Sequence, residues 1–179
     1  ENEGLNLVDA GSRRSFHHLK SGIEQTGFNV TDIDRLIITH GHSDHDGAAK
    51  ALLEVSEAEL WAHDLYSHML SLNTWKIEKT GMNEQFRDEI HRVASASRTS
   101  QKPDTSEFFD KEYMEERVKL DVTYGVKTDE QFGNMRFMHT PGHAPDEVCL
   151  TFDGLIFTGD HVLPEITPHP TTRVRYTDT

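Results

Sequence analysis

The chain has 179 residues, a length that predicts one compact domain over residues 1–179 with its own hydrophobic core. It carries 31 acidic against 18 basic residues, for a formal net charge of −13, which would repel the phosphates of nucleic acid and favours a small-molecule substrate. No apolar run reaches the roughly 18 residues that a membrane span requires, so a membrane protein is excluded.

The N-terminal part of the chain predicts alternating strands and helices. Residues 5–11 alternate apolar and polar side chains, which predicts a strand that is already running where the sequence begins. Residues 15–25 show apolar side chains at helical spacing and predict a helix, and the β-branched run at 35–39 predicts a buried strand. An apolar helical face at 48–53 and an alternating segment at 58–62 complete a β-α-β unit.

The middle of the chain has a different character. From residue 65 to about residue 93 the apolar residues fall on one helical stripe, and residues 95–106 form a polar segment that predicts a surface loop. We therefore expect a largely helical insertion around 65–117, which would cover the functional site.

The C-terminal part predicts strands. Residues 135–138, 147–152 and 155–158 have strand character, and Asp153-Gly154 between the last two predicts a tight hairpin turn. The alternating strands and helices of the N-terminal part are typical of the α/β class.

Four metal-binding side chains follow the predicted strand at 35–39. His40, His42, Asp44 and His45 offer imidazole and carboxylate groups, which bind zinc and several other divalent ions. On an extended loop, alternate positions would turn His40 and His42 toward one ion while Asp44 and His45 face another. A histidine-rich surface turn is the alternative, which the strand-loop-helix context disfavours.

Residues 39–47 (THGHSDHDG) resemble the T-H-x-H-x-D-H-x-G signature of the metallo-β-lactamase superfamily. Residues 139–143 (HTPGH) resemble the T-P-G-H turn of that family, and residues 158–160 (TGD) resemble its G-D at a strand end. The order and the separations of the three motifs also suit the family. The resemblance implies an αββα sandwich, the metallo-β-lactamase fold.

The same resemblance implies a binuclear metal site. His143 would join His40 and His42 at the first ion, and Asp160 would bridge both ions. The implied ligands are His40, His42, Asp44, His45, His143 and Asp160. Two divalent ions are expected, with zinc favoured and iron or manganese as alternatives.

One departure from the family concerns the second ion. The family supplies a further histidine from a strand near the C-terminus, whereas this sequence ends at Thr179 before any such segment. His169 follows Asp160 too soon and in the wrong context. We therefore expect the chain to be a partial domain, incomplete at both termini, with one ligand of the second ion missing.

The other histidines and the cysteine lack ligand spacing. His139 and His161 flank the motifs, and a role beside the ligands is as plausible for them as a structural role. A role in substrate binding for His169 is a hypothesis. Cys149, the sole cysteine, is expected to be buried in a strand, and because no internal disulfide can form a cytoplasmic location is favoured. Exposed or packed roles are expected for His17, His18, His63, His68 and His91.

The chemistry expected of such a site is hydrolysis. Water held between two divalent ions loses its proton near neutral pH and attacks a carbonyl that the ions polarise. This metal-bridging hydroxide is the nucleophile, and Asp44 is expected to help manage the proton and the leaving group as the catalytic residue.

The substrate class depends on the branch of the family. The T-P-G-H and G-D motifs look most similar to the glyoxalase II (hydroxyacylglutathione hydrolase) branch, which implies a thioester or lactone. A β-lactamase and a phosphodiesterase of the same superfamily are alternatives, and so is a metal-binding module without catalytic activity. A flavodiiron oxidoreductase would have glutamate in place of His42.

Overall fold

The computed structural model describes residues 4–71, 115–117 and 119–168. The chain divides into two compact units, one made of residues 1–69 with 120–179 and the other of residues 70–119. Most of the second unit lies outside the described residues, together with the predicted loop at 95–106, His91 and His169. A helix at the start of the predicted insertion is confirmed, but a single domain over 1–179 stays a prediction.

Eight strands and four α-helices are described, with 3-10 turns at Arg13–Ser15 and Val30–Asp32. The helices are α1 (Phe16–Gln25), α2 (Ser43–Asp46), α3 (Ala49–Leu53) and α4 (Leu65–Ser71). The strands are β1 (Asn6–Val8), β2 (Arg35–Ile37), β3 (Glu59–His63), β4 (Tyr124–Val126), β5 (Gln131–Phe132), β6 (Met135–His139), β7 (Val148–Phe152) and β8 (Leu155–Phe157). Within the described part, no helix is long and apolar enough to cross a membrane.

Strands β1 to β4 form a parallel sheet in that order. Parallel neighbours require crossover connections, which α1 and α3 supply between the first three strands. Leu7, Leu36 and Leu60 lie side by side across the first three strands. Sequence patterning did not predict β4, because a three-residue strand with a central glycine has too few side chains to show a period.

Strands β5 to β8 form an antiparallel sheet, also in chain order. The predicted hairpin between β7 and β8 is confirmed: Asp153 and Gly154 have φ angles of 49° and 78°. Positive φ at both central residues suits the right-handed twist of the flanking strands.

The two sheets pack around a shared hydrophobic core. Ile37, Trp61 and Val126 of the parallel sheet meet side chains of the antiparallel sheet, namely Met135, Phe137 and Leu150. All six are at most 2% exposed, and burial of each side chain stabilises the fold by roughly 1.5–3 kcal/mol. The described unit therefore has the two inner layers that a sandwich requires.

Several strand ends carry polar side chains. Asp9 follows β1, His40 follows β2 after a short extension, and His63 ends β3. In parallel sheets the carboxyl ends of the strands are the usual place for ligand sites. On the antiparallel sheet, β6 ends at His139 and β8 precedes Asp160, and these two ends lead into the remaining metal motifs.

Candidate metal centre

The first metal motif begins just after β2, where the chain forms hydrogen bonds with both sheets. The backbone N–H of Ile38 donates to Trp61 O at 2.8 Å, and Thr39 O accepts from the Val148 N–H at 2.9 Å. Residues 38 and 39 are therefore held between β3 and β7, and His40 follows them with 1% of its surface exposed.

The rest of the motif is more helical than its sequence predicts. We expected an extended loop through His45, but α2 begins at Ser43, with the amides of His45 and Asp46 both 3.0 Å from His42 O. A cap at His42 makes this single turn possible, since its backbone is extended while its carbonyl accepts the first helical bonds. Asp44 and His45 therefore leave the chain in directions set by a helical turn.

Three imidazoles form the first donor group. His40, His42 and His143 each place a ring nitrogen within 4.8 Å of the others. His42 Nδ1 lies 3.0 Å from His40 Nε2 and 2.8 Å from His143 Nε2. Nitrogen ligands around one tetrahedral zinc ion lie roughly 3.3 Å apart, so this donor set fits such an ion with small shifts.

A second donor group consists of His40, His45 and Asp160. His45 Nε2 lies 3.3 Å from Asp160 Oδ1, while Asp160 Oδ2 lies 3.4 Å from His143 Nε2. Asp160 thus contacts a histidine of each group, and His40 belongs to both.

Asp44 is the predicted ligand that lies apart from the two groups. Its side chain is 61% exposed, and its Oδ2 lies 3.9 Å from His45 Nε2. The structure therefore brings five of the six predicted ligands together and leaves Asp44 at the rim, beside His45. Its roles as a ligand and as the catalytic residue stay predictions.

Asp9 supports this site and was not identified from the sequence. It adopts a left-handed φ of 59°, and its Oδ1 accepts the Thr39 N–H at 2.8 Å. Its Oδ2 lies 2.8 Å from both Thr39 Oγ1 and His45 Nδ1. A carboxylate on Nδ1 orients the imidazole and leaves Nε2 directed at Asp160. A lone aspartate near the end of a predicted strand gave only a weak signal in the sequence.

The charge state of His45 follows from these contacts. Burial lowers its pKa, but the hydrogen bond to Asp9 and the charges of Asp9, Asp44 and Asp160 outweigh burial and raise the pKa to about 9. Without metal, His45 is therefore an imidazolium at neutral pH. An ion that binds its Nε2 must displace that proton.

His139 lies outside both donor groups. Its ring stacks on His63, with ring centroids 4.1 Å apart, and its Nε2 donates to Pro145 O at 2.8 Å. It therefore braces the turn that carries His143. His161 is exposed, and so are three of the five histidines without ligand spacing: His17, His18 and His68.

Glu147 is a buried carboxylate that sequence analysis also missed. It is 0% exposed, and neither of its oxygens has a partner within hydrogen-bonding geometry. Burial raises its pKa to about 7, against the lowering effect of the Ala144 and Asp160 amides that face it. Gly159 lies against it: a Cβ there would come within 2.9 Å of Thr39 Oγ1 and 3.3 Å of Glu147 Oε1.

Glu147 should make the metal-free protein less stable as the pH rises. Because its pKa is higher in the folded state than the unfolded value of 4.5, its proton is bound more tightly after folding. This contribution is complete below about pH 4.5 and is lost as the pH rises through about 7. Glu147→Gln, a neutral isostere, should remove this pH dependence and should be more stable than the wild type at pH 8, by on the order of 3 kcal/mol.

Urea unfolding of the metal-free protein between pH 5 and pH 8 measures this effect. The exposed Glu57→Gln variant is the matched control and should keep the pH dependence of the wild type. An unchanged pH dependence in Glu147→Gln would show that the carboxylate is not buried as described.

Comparison with known proteins extends these observations. The model of the family described as Metallo-beta-lactamase superfamily matches residues 1–178. Among curated proteins, the Metallo-beta-lactamase fold-containing protein ST1585 of Sulfurisphaera tokodaii is 24% identical over 159 residues, which cover 86% of this chain and 51% of that protein. The chain thus spans about half the length of this relative.

Solved structures share the fold at low identity. TTHA1429, a metallo-beta-lactamase family protein from Thermus thermophilus, has a TM-score of 0.61 and 22% identity, over 94% of this chain and 55% of that protein. TTHA1623 in a di-iron-bound form has a TM-score of 0.61 and 19% identity, over 96% of this chain and 69% of that protein. The FEZ-1 metallo-beta-lactamase of Legionella gormanii has a TM-score of 0.58 and 17% identity, over 93% and 57%. These similarities confirm the predicted fold class.

Proposed function

The chain belongs to the metallo-β-lactamase superfamily, and from this premise we propose that it carries the metal centre of a binuclear hydrolase. The substrate is a small molecule with an ester-like bond, either a thioester or a lactone. The observation that supports the proposal is the pair of donor groups, three histidines in one and two histidines with a carboxylate in the other, joined by His40 and Asp160.

The donor set fits divalent metal ions. Imidazole nitrogen with a single carboxylate suits zinc, and also iron or manganese. We favour zinc, while the di-iron form of the similar TTHA1623 supports iron as the alternative. A divalent ion held at this centre supplies Lewis acidity, which lowers the pKa of a bound water to about 7 and polarises a carbonyl.

The residues of the chain have distinct parts in this reaction. His40, His42 and His143 would hold the first ion, and His45 with Asp160 would contribute to the second. Asp9 keeps Nδ1 of His45 occupied, so that only Nε2 is free to bind.

Asp44 is suited to handling protons. Its carboxylate is exposed at the rim of the site, where Oδ2 can accept a proton from the attacking water and return it to the leaving group. We propose it as the catalytic residue on that ground.

The choice of an ester-like substrate depends on the T-P-G-H and G-D motifs, which look most similar to the glyoxalase II branch. The strongly acidic chain disfavours a phosphodiester substrate. A β-lactam is the second candidate, because FEZ-1, a metallo-beta-lactamase, has the same fold. The sole cysteine supports a cytoplasmic location for the protein.

Metal analysis and a substrate panel test the proposal. We expect the protein to bind two divalent ions and to hydrolyse a thioester or lactone faster than a β-lactam or a phosphodiester. Turnover of the β-lactam alone would establish the second candidate. Bound metal without turnover of any substrate would indicate a metal-binding module, and protein without metal would refute the metal centre itself.

A further inference from the structure

The amide of Gly41 lies between two ligand histidines, and its hydrogen-bond acceptor comes from a distant turn. Asp146 Oδ2 accepts the Gly41 N–H at 2.9 Å across 105 residues of sequence. We infer that Asp146 is a positioning residue, which fixes the peptide between His40 and His42 in the orientation that lets both rings bind one ion. This inference rests on the proposed metal centre.

Burial makes this hydrogen bond strong. Asp146 is 2% exposed, and it lies in the turn between β6 and β7 that also carries His143. A hydrogen bond to a charged acceptor is worth roughly 1.5–3 kcal/mol when it is shielded from water. The contact therefore joins the turn of His143 directly to the turn of the other two histidines.

Close packing around Gly41 adds a second constraint. A Cβ at this position would lie 3.2 Å from Asp146 Oδ2 and 3.3 Å from two ring carbons of Tyr66. Tyr66 is fully buried, and its hydroxyl donates to Asp46 Oδ2 at 2.8 Å. Gly41 is thus held between a carboxylate and an anchored aromatic ring, which would have to shift by a few tenths of an ångström to admit a Cβ.

The backbone on both sides of His40 is restrained in the same manner. The Thr39 amide donates to Asp9, and the Gly41 amide donates to Asp146. One carboxylate follows a strand of the parallel sheet, and the other lies in a turn of the antiparallel sheet. His40, which belongs to both donor groups, therefore lies between two buried or half-buried hydrogen bonds to carboxylates.

The effect on metal binding follows from the freedom of glycine. Without a side chain, the backbone at Gly41 can adopt many conformations, and nothing in its own chemistry selects the one that directs His40 Nε2 and His42 Nδ1 to one point. Asp146 supplies that selection. Loss of a group that orients metal ligands through a hydrogen bond typically lowers metal affinity 10–100-fold.

Zinc affinity of the whole chain in three variants tests the inference. Competition with a chromophoric chelator should show binding of the first ion weakened about 10–100-fold in Asp146→Ala. Asp146→Asn keeps an oxygen acceptor and the volume of the side chain, so its affinity should stay within about threefold of the wild type. Asp121→Ala, which removes an exposed aspartate elsewhere, should have no effect.

Exchange of the Gly41 amide proton provides a readout that does not depend on metal. In the metal-free chain the proton should exchange slowly in the wild type and in Asp146→Asn, and at least tenfold faster in Asp146→Ala. If Asp146 only stabilised the fold, Asp146→Ala would have a lower melting temperature and an unchanged zinc affinity.

The outcomes separate this inference from the proposed function. Wild-type zinc affinity in Asp146→Ala, or a tenfold loss of affinity in Asp146→Asn, would overturn the inference and leave the metal centre standing. A wild-type chain that binds no zinc, iron or manganese would overturn both. If Asp146→Ala does not fold, Asp146→Ser takes its place: its hydroxyl is too short to reach the Gly41 amide, so the same loss of zinc affinity is expected, and wild-type affinity in that variant would overturn the inference.

Discussion

His40→Ala should abolish hydrolysis and empty the metal centre. His40 is the histidine that belongs to both donor groups, and it is 1% exposed, so water cannot easily replace its ring as a ligand. Its Nδ1 lies 3.2 Å from Thr39 Oγ1, which helps to direct Nε2 toward His42. Truncation removes one of the three imidazoles of the first donor group and the neighbour of His45 and Asp160 in the second.

We expect turnover of the best substrate to fall on the order of a thousandfold or more, which corresponds to about 4 kcal/mol of transition-state stabilisation. Metal content measured on the same preparation should fall to less than one ion per chain. His18→Ala, on the exposed surface of α1, is the matched control and should retain both. Full metal content in His40→Ala would contradict the assignment of the site.

Asp44→Ala should separate catalysis from metal binding. Because Asp44 lies outside both donor groups and is largely exposed, its loss should leave the first ion in place. The value of kcat should fall roughly 10²–10⁴-fold, the usual range for a group that transfers a proton in the transition state. KM should change much less.

Asp44→Asn refines the result, since the amide keeps the shape of the side chain but cannot carry the proton. It should lose as much kcat as the alanine variant. An asparagine variant with wild-type kcat would exclude proton transfer, and loss of the first ion in either variant would indicate that Asp44 helps to hold it.

The sequence predicted the parts of the site that lie close together along the chain. His40, His42 and His45 stand within six positions, and a recurring order of residue types marks them. The strands at 35–39 and 147–152 were recognised because β-branched and apolar side chains fill them, and the hairpin was recognised because Asp-Gly favours positive φ.

The supporting residues could not be predicted, for a physical reason. Asp9 acts on residue 39 and Asp146 on residue 41, at separations of 30 and 105 residues. Such contacts exist only after two sheets have formed and packed, and no local pattern records them. The same holds for Glu147, whose burial depends on what surrounds it and not on its neighbours in sequence.

The metal ligands also come from both sheets, a feature with a thermodynamic consequence. His40 and His42 follow β2 of the parallel sheet, while His143 and Asp160 follow strands of the antiparallel sheet. An ion held by these residues would act as a cross-link across the sandwich, additional to the apolar core. Its binding free energy would then add to the free energy of unfolding, by RT ln(1 + [M]/Kd) for each ion, so the resistance of the fold to denaturation would follow the metal supply of its surroundings.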